Sequence, residues 1–247
     1  MPFRLTKRII KEEIVNTVIN RHKLPAVPIG LIAFLFLIMV TKAFAANEYD
    51  LTLPGASVKI NGAIFQALTS SDPSGSGAFN SFVRIDSKSL VIKGYNTDFR
   101  PLQFDEKSSP SFTRSLLLSD IPPIWEENTI YRAFDLDINQ KGRKSEAYLT
   151  VDEIELYETP YADLCGYPFD GSGGGQTGCS TNNTATLIWD MDAFGDSFVL
   201  LDSRNGPGSG KREMRLLVPD SLFNQNPNCN FGSFGYEILS QHLFEIF

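Results

Sequence analysis

Ile130-Tyr131-Arg132-Ala133-Phe134-Asp135-Leu136-Asp137-Ile138-Asn139 alternates between side-chain types with a period of two. In an extended chain successive side chains point to opposite faces, so Phe134, Leu136 and Ile138 share one face and Asp135, Asp137 and Asn139 the other. That is a half-buried β-strand. The same period runs outward in both directions from Val58 onward. It predicts strands over 57–68, 79–86, 89–95, 112–119, 129–139, 147–157, 185–190, 197–202 and 213–218. Between them lie turn formers: Asp72-Pro73-Ser74-Gly75-Ser76-Gly77, Pro122-Pro123 and Asn205-Gly206-Pro207-Gly208-Ser209-Gly210. No amphipathic helix and no internal repeat interrupts them. Nine short strands with turn punctuation predict an all-β fold, an antiparallel β-sandwich of jelly-roll-like or immunoglobulin-like type.

The chain has 247 residues, 22 Lys+Arg, 29 Asp+Glu and a net charge of −7. Its first 45 residues read as an export signal. Arg4, Lys7, Arg8, Lys11, Arg21 and Lys23 precede an apolar run from Ile29 to Val40, then Ala43-Phe44-Ala45. A basic region, a short apolar region and a small-x-small site are the parts of a secretory leader. The apolar run falls short of the ~20 residues needed to cross a bilayer, so no stable membrane span is expected once the leader is cut. Retention of the long leader as an anchor is the alternative. The leader carries seven of the basic residues and two of the acids, so the remaining 202 residues hold 15 basic against 27 acidic and one histidine, His242. Net acidity without a basic patch argues against nucleic acid, and one histidine cannot build a His-rich zinc site. The expected organisation is a leader at 1–45, one sandwich at 46–230 and a tail at 231–247.

The segment 161–184 is too rich in glycine for a strand interior. It reads as a long surface loop or a linker, and one sandwich is favoured because three later strands are too few for a second core. Cys165 and Cys179 bracket it. In an oxidising compartment a bridge between them closes a short loop worth about 3 kcal/mol, with Cys229 left over; the alternative is two free thiols.

Acidic residues are the candidate ligands. Asp135, Asp137 and Asn139 succeed one another on one strand face, roughly 6.6 Å apart. Such a face must be solvated, neutralised by a base or coordinated to a cation. The run imitates a calcium loop with Glu146 at the twelfth position, but Gln140 stands where the sharp turn needs glycine. Asp190-Met191-Asp192-Ala193-Phe194-Gly195-Asp196 joins two strands through an acidic turn. It is an ordinary Asp/Gly turn or a hairpin in which Asp190, Asp192 and Asp196 hold calcium. At Asp152-Glu153 the apolar phase slips, which reads as a β-bulge. Paired acids also suit a glycosidase, with Trp125, Trp189, Tyr95 and Tyr131 available to stack on sugars. There is no phosphate loop, nucleophile elbow or Cys-x-x-Cys pair, so catalysis is not the favoured reading.

Gly94–Asp98, Pro101–Lys107, Phe112–Pro122, Phe134–Gln140, Leu149–Tyr157, Ala185–Asp196 with Asp202, Gly208–Gly210 and Val218–Ser221 together resemble a group of bacterial exported β-rich proteins of no assigned activity. Many of that group end in a PEP-CTERM sorting tail. The resemblance spans about Gly62 to Phe223 and implies an extracellular or surface β-domain. The tail departs from the pattern, because 224–247 has no Pro-Glu-Pro motif, apolar anchor or basic cluster. The terminal 243–247 faintly resembles the last strand of an outer-membrane barrel, with Glu245 on the wrong face. The expectation is a secreted or cell-surface module, structural or binding, calcium-stabilised, with extracellular polysaccharide or surface proteins as partners. The rivals are a secreted carbohydrate-active enzyme using paired carboxylates and a filament or matrix subunit.

Overall fold

Three strands set the frame, and their rungs can be read across. Ile64, Leu217 and Ala133 stand side by side; Phe65, Leu216 and Phe134 form the next rung; Gln66, Arg215 and Asp135 the third. Successive rungs face opposite ways. The face bearing Phe65, Leu216 and Phe134 joins the main core with Val151, Leu156, Val199 and Leu201. The face bearing Ile64 and Leu217 carries a small second cluster with Tyr131, Ile124 and Ala133.

The computed structural model describes residues 3–4, 46–69, 81–87, 89, 91–138, 147–205, 212–223, 237–239 and 245–246. The chain divides into two units, Met1–Lys7 with Ala46–Phe247, and Arg8–Ala45. The second unit lies outside the described residues, as do Asn139, Glu146, Cys229 and His242.

The strands are β1 (Phe3–Arg4), β2 (Asn47–Asp50), β3 (Ser57–Ile60), β4 (Ala63–Ala67), β5 (Val83–Arg84), β6 (Lys93–Gly94), β7 (Pro123–Glu126), β8 (Thr129–Asp137), β9 (Tyr148–Val151), β10 (Glu155–Thr159), β11 (Thr186–Asp190), β12 (Ser197–Asp202), β13 (Met214–Pro219), β14 (Glu237–Leu239) and β15 (Glu245–Ile246). The largest sheet runs β3-β4-β13-β8-β15-β5, with β7 also on β8. Two three-stranded sheets, β11-β10-β14 and β2-β12-β9, and the pair β1-β6 complete the set. Pairing is antiparallel except between β2 and β12. The fold is therefore all-β, as the alternating pattern predicts. No α-helix occurs among the described residues, and none of their helices could cross a membrane.

Several boundaries differ from expectation, each for a local reason. The stretch 57–68 is a hairpin, because Asn61 and Gly62 take positive φ (48° and 86°) and turn the chain in two residues. Asn-Gly is a strong sequence signal for such a turn. Glu127 and Asn128 (47° and 60°) do the same between β7 and β8. Pro123, expected in a turn, opens β7, a position where a missing N–H costs the ladder little. The phase slip at Asp152-Glu153 is a change of sheet rather than a bulge: β9 pairs with β12, and β10 with β11. The register shift lies further on, between Leu156 and Tyr157. Residues 112–119 form turns and the start of a short 3₁₀ helix instead of a strand. Within the segment expected as a tail, β14 pairs with β10 and β15 with β8.

Asp135 is buried on the second face of the large sheet. Arg215 grips it with two parallel bonds, Nε to Oδ1 at 2.6 Å and Nη2 to Oδ2 at 2.9 Å, and Arg212 adds a third through Nη1. Removing the charge would leave the buried Arg212 and the partly buried Arg215 as two cations side by side. Asp135→Asn is therefore expected to lower the unfolding free energy by about 3 kcal/mol. Asp86→Asn, which breaks the exposed pair with Lys107 (2.8 Å), should cost under ~1 kcal/mol. Urea denaturation of the two variants checks this, and equal small losses would overturn it.

Candidate functional site

The start of β10, the end of β11 and the turn after it bring acids together. Glu155 stands directly opposite Asp190 in the β10–β11 ladder. Directly opposed residues point to the same face, with Cβ atoms about 5 Å apart. The turn 190–197 then folds on its own carboxylates. Asp190 Oδ1 accepts the Asp192 N–H at 2.7 Å, and Asp192 Oδ1 accepts the Ser197 N–H at 2.9 Å. The Gly195 N–H closes the loop on the Asp192 carbonyl at 3.0 Å. Phe194, at the tip, is 90% exposed.

This turn is held from a distant part of the chain. Asn61, at the tip of the β3–β4 hairpin, donates through Nδ2 to the carbonyls of Asp190 (3.0 Å) and Met191 (2.7 Å). The Trp189 indole N–H returns a bond to the Asn61 carbonyl at 3.0 Å. Trp189 in turn packs on Phe65, ring centroids 6.1 Å apart. The Asn-Gly turn thus fixes the backbone on which the acids stand.

Burial pushes the Glu155 carboxyl up to about 7, and the Asp190 charge adds to it. Asp192 also rises to about 7, first through burial and then through Glu153, Asp190 and Asp196. The Tyr157 and Tyr167 hydroxyls engage Glu155, and burial raises both phenols above their ordinary range. Behind them, Tyr157, Tyr167 and Tyr95 all meet Phe169 edge-on, with centroids 5.1, 5.5 and 5.0 Å away.

No protein-family model, no curated protein and no solved structure matches the chain.

The glycine-rich segment supplies part of this wall. Cys165 and Cys179 are bonded, with Cα atoms 5.7 Å apart. Leu164, Cys165 and Phe169 are buried, so the segment is a packed part of the domain. Gly166 and Gly174 both have positive φ, and a Cβ on either would run into the backbone of the opposite strand of the loop. Gln103 and Gln176 tie it down: Gln176 Oε1 accepts the Gly166 N–H at 2.7 Å, and Gln103 Oε1 accepts the Tyr167 N–H at 2.9 Å.

The sequence-derived ligand candidates fall in different places. Asp190, Asp192 and Asp196 share the turn. Asp135 faces arginines, Asp137 is buried beside it on the same strand face, and Asn139 lies outside the described residues. Among the described residues no three acids, cysteines or histidines already converge as metal ligands. Of the aromatics expected to meet sugars, Trp189, Tyr95 and Tyr131 are buried and only Trp125 is exposed, at 67%. Glu155 was not singled out in sequence, since an acid within Ile154-Glu155-Leu156 reads as the wet face of a strand. Its burial comes from packing beyond the strand itself.

Glu106 is a second buried acid. Its Oε1 accepts the Tyr95 N–H at 2.8 Å and its Oε2 the Phe104 N–H at 2.9 Å. Burial still outweighs these bonds and pushes the carboxyl up to about 7 from 4.5. The folded chain holds this proton up to about pH 7, while the unfolded chain releases it near 4.5. The contribution to stability is therefore complete below about pH 4.5 and is lost as pH rises through 7, by about 3 kcal/mol at most. Thermal midpoints should fall between pH 5 and 8. Glu106→Gln should flatten that slope and lower the midpoint at acid pH, because one N–H then faces an amide NH2. An unchanged slope in the variant would overturn the assignment.

Proposed function

We propose that this chain is an exported β-domain with a binding or structural role in the cell envelope or extracellular matrix, taking polysaccharide or surface proteins as partners. The observation that carries the binding part is Trp125. It stands on the β7–β8 hairpin directly opposite Ile130, and both side chains are exposed. An exposed aromatic ring beside an aliphatic one offers a flat apolar face with a polar N–H edge, which suits a sugar ring or a partner's surface. The Cys165–Cys179 bridge supports the export part, since such bonds persist in oxidising compartments.

A test of export is expression of the full chain followed by fractionation, N-terminal sequencing and thiol titration. The expected product is found outside the cytoplasm, begins at Ala46 and has one reactive thiol before reduction and three after. Retention in the cytoplasm with three free thiols would overturn the reading. For binding, Trp125→Ala should weaken retention on insoluble or immobilised polysaccharides about tenfold or more while leaving the thermal midpoint within a degree or so, because the ring supports no core contact. Equal retention of both proteins would remove Trp125 from the surface.

A second reading has one observation in its favour. Glu155 and Asp190 are opposed carboxyls, one of them raised to about 7, as an acid–base pair in a glycosidase would be. Release of reducing ends from polysaccharides, lost in Glu155→Gln, would support it, and no release from any polysaccharide offered would dismiss it.

A further inference from the structure

We propose that Glu155, Asp190 and Asp192 are the carboxylate core of a calcium-type divalent cation site, centred on the buried β10–β11 rung and not on the exposed tip of the acidic turn. Three observations converge on this. Glu155 is only 9% exposed, and its Oε2 has no hydrogen-bond partner. A buried carboxylate oxygen without a donor is unfavourable, and a cation beside it removes that penalty. The same carboxylate shares its face with Asp190 across the ladder, so the unpartnered oxygen belongs to the acidic group and not to the apolar core. Asp190 and Asp192 each give Oδ1 to a backbone N–H of the turn and keep Oδ2 for a ligand.

The donor set is all oxygen. Carboxylates without nitrogen or sulfur partners select hard cations, and calcium tolerates irregular geometry where magnesium demands a near-ideal octahedron. The three carboxyls do not converge at ligand distance. Closing on an ion therefore needs rotation of side chains, while the backbone beneath them is already fixed by Asn61. Asp135 makes the contrast: its oxygens are held by Arg215 and Arg212, which supply the positive charge that the Glu155 group receives from an ion. This inference stands apart from the export and Trp125 readings, and neither of their tests bears on it.

Terbium, which replaces calcium among oxygen ligands and emits when excited through nearby aromatic rings, gives a local readout. Trp189 adjoins Asp190, and Tyr157 and Tyr167 lie close to Glu155. Chelator-treated full chain is titrated with terbium under excitation of its aromatic residues, then with calcium in competition. The expected result is sensitised emission that calcium displaces, together with a rise in thermal midpoint of several degrees in calcium. Glu155→Gln and Asp190→Asn should each weaken terbium binding by roughly an order of magnitude, with the far-UV circular dichroism of the parent. Asp86→Asn, on an exposed acid paired with Lys107, should bind as the parent does. No sensitised emission from the parent overturns the site. Emission that survives Glu155→Gln but is lost in Asp196→Asn overturns its placement and moves the ion to the turn. If Glu155→Gln loses the parent's circular dichroism, Asp190→Asn decides alone, and unchanged binding there overturns the proposal.

Discussion

The register of β13 between β4 and β8 is the constraint on which the other sheets rest. One rung puts Phe65, Leu216 and Phe134 into the main core, and the next puts Arg215 against Asp135 on the far face. A slip of β13 by one residue would turn Arg215 into the apolar core and Leu216 out of it. The bidentate Arg215–Asp135 contact, backed by Arg212, makes that slip costly in charge as well as in apolar area. The pair thus specifies alignment more than it adds stability, since replacing such a group with well-packed apolar residues is often neutral.

From this frame the acidic end of the molecule is placed by a relay of backbone contacts. The β3–β4 hairpin is in register with β13, and its Asn61 tip carries the carbonyls of Asp190 and Met191. The glycine-rich segment closes the other side. Its bridge, its two glutamine anchors and Phe169 bring Tyr167 to Glu155. A loop of low apolar content is ordered here because its backbone donors are bonded to side chains from 101–106 and from the loop itself, and because glycine lets two of its arms touch.

Much of the fold was legible in the sequence. The alternation predicts strands that β8 (Thr129–Asp137) and β12 (Ser197–Asp202) form, and the bonded Cys165–Cys179 pair is the favoured reading of two cysteines flanking a short loop. What alternation hid was where one strand becomes two. Ser57–Leu68 keeps its period through Asn61-Gly62, so the turn shows only in the chemistry of those two residues. The slip at Asp152-Glu153 is visible in sequence, but only the pairing partners distinguish a bulge from a crossing between sheets. For the site, the turn acids were legible and Glu155 was not. A polar residue in a strand reveals burial only when the element covering it is known, and that element comes from distant sequence. The polar face of 134–138 misleads for the same reason: Asp135 is buried because Arg212 and Arg215, some 80 residues later, make burial tolerable.

The parallel pairing of β2 with β12 has a kinetic meaning. Asn47 bonds to the Asp196 carbonyl, 149 residues further along the chain. Loop closure over such a span must be completed before the contact returns any energy, so folding of this sheet is slow compared with a domain of local hairpins. During synthesis β2 stays unpaired until the chain has passed Ser197, and its edge is open to the wrong partners for all that time.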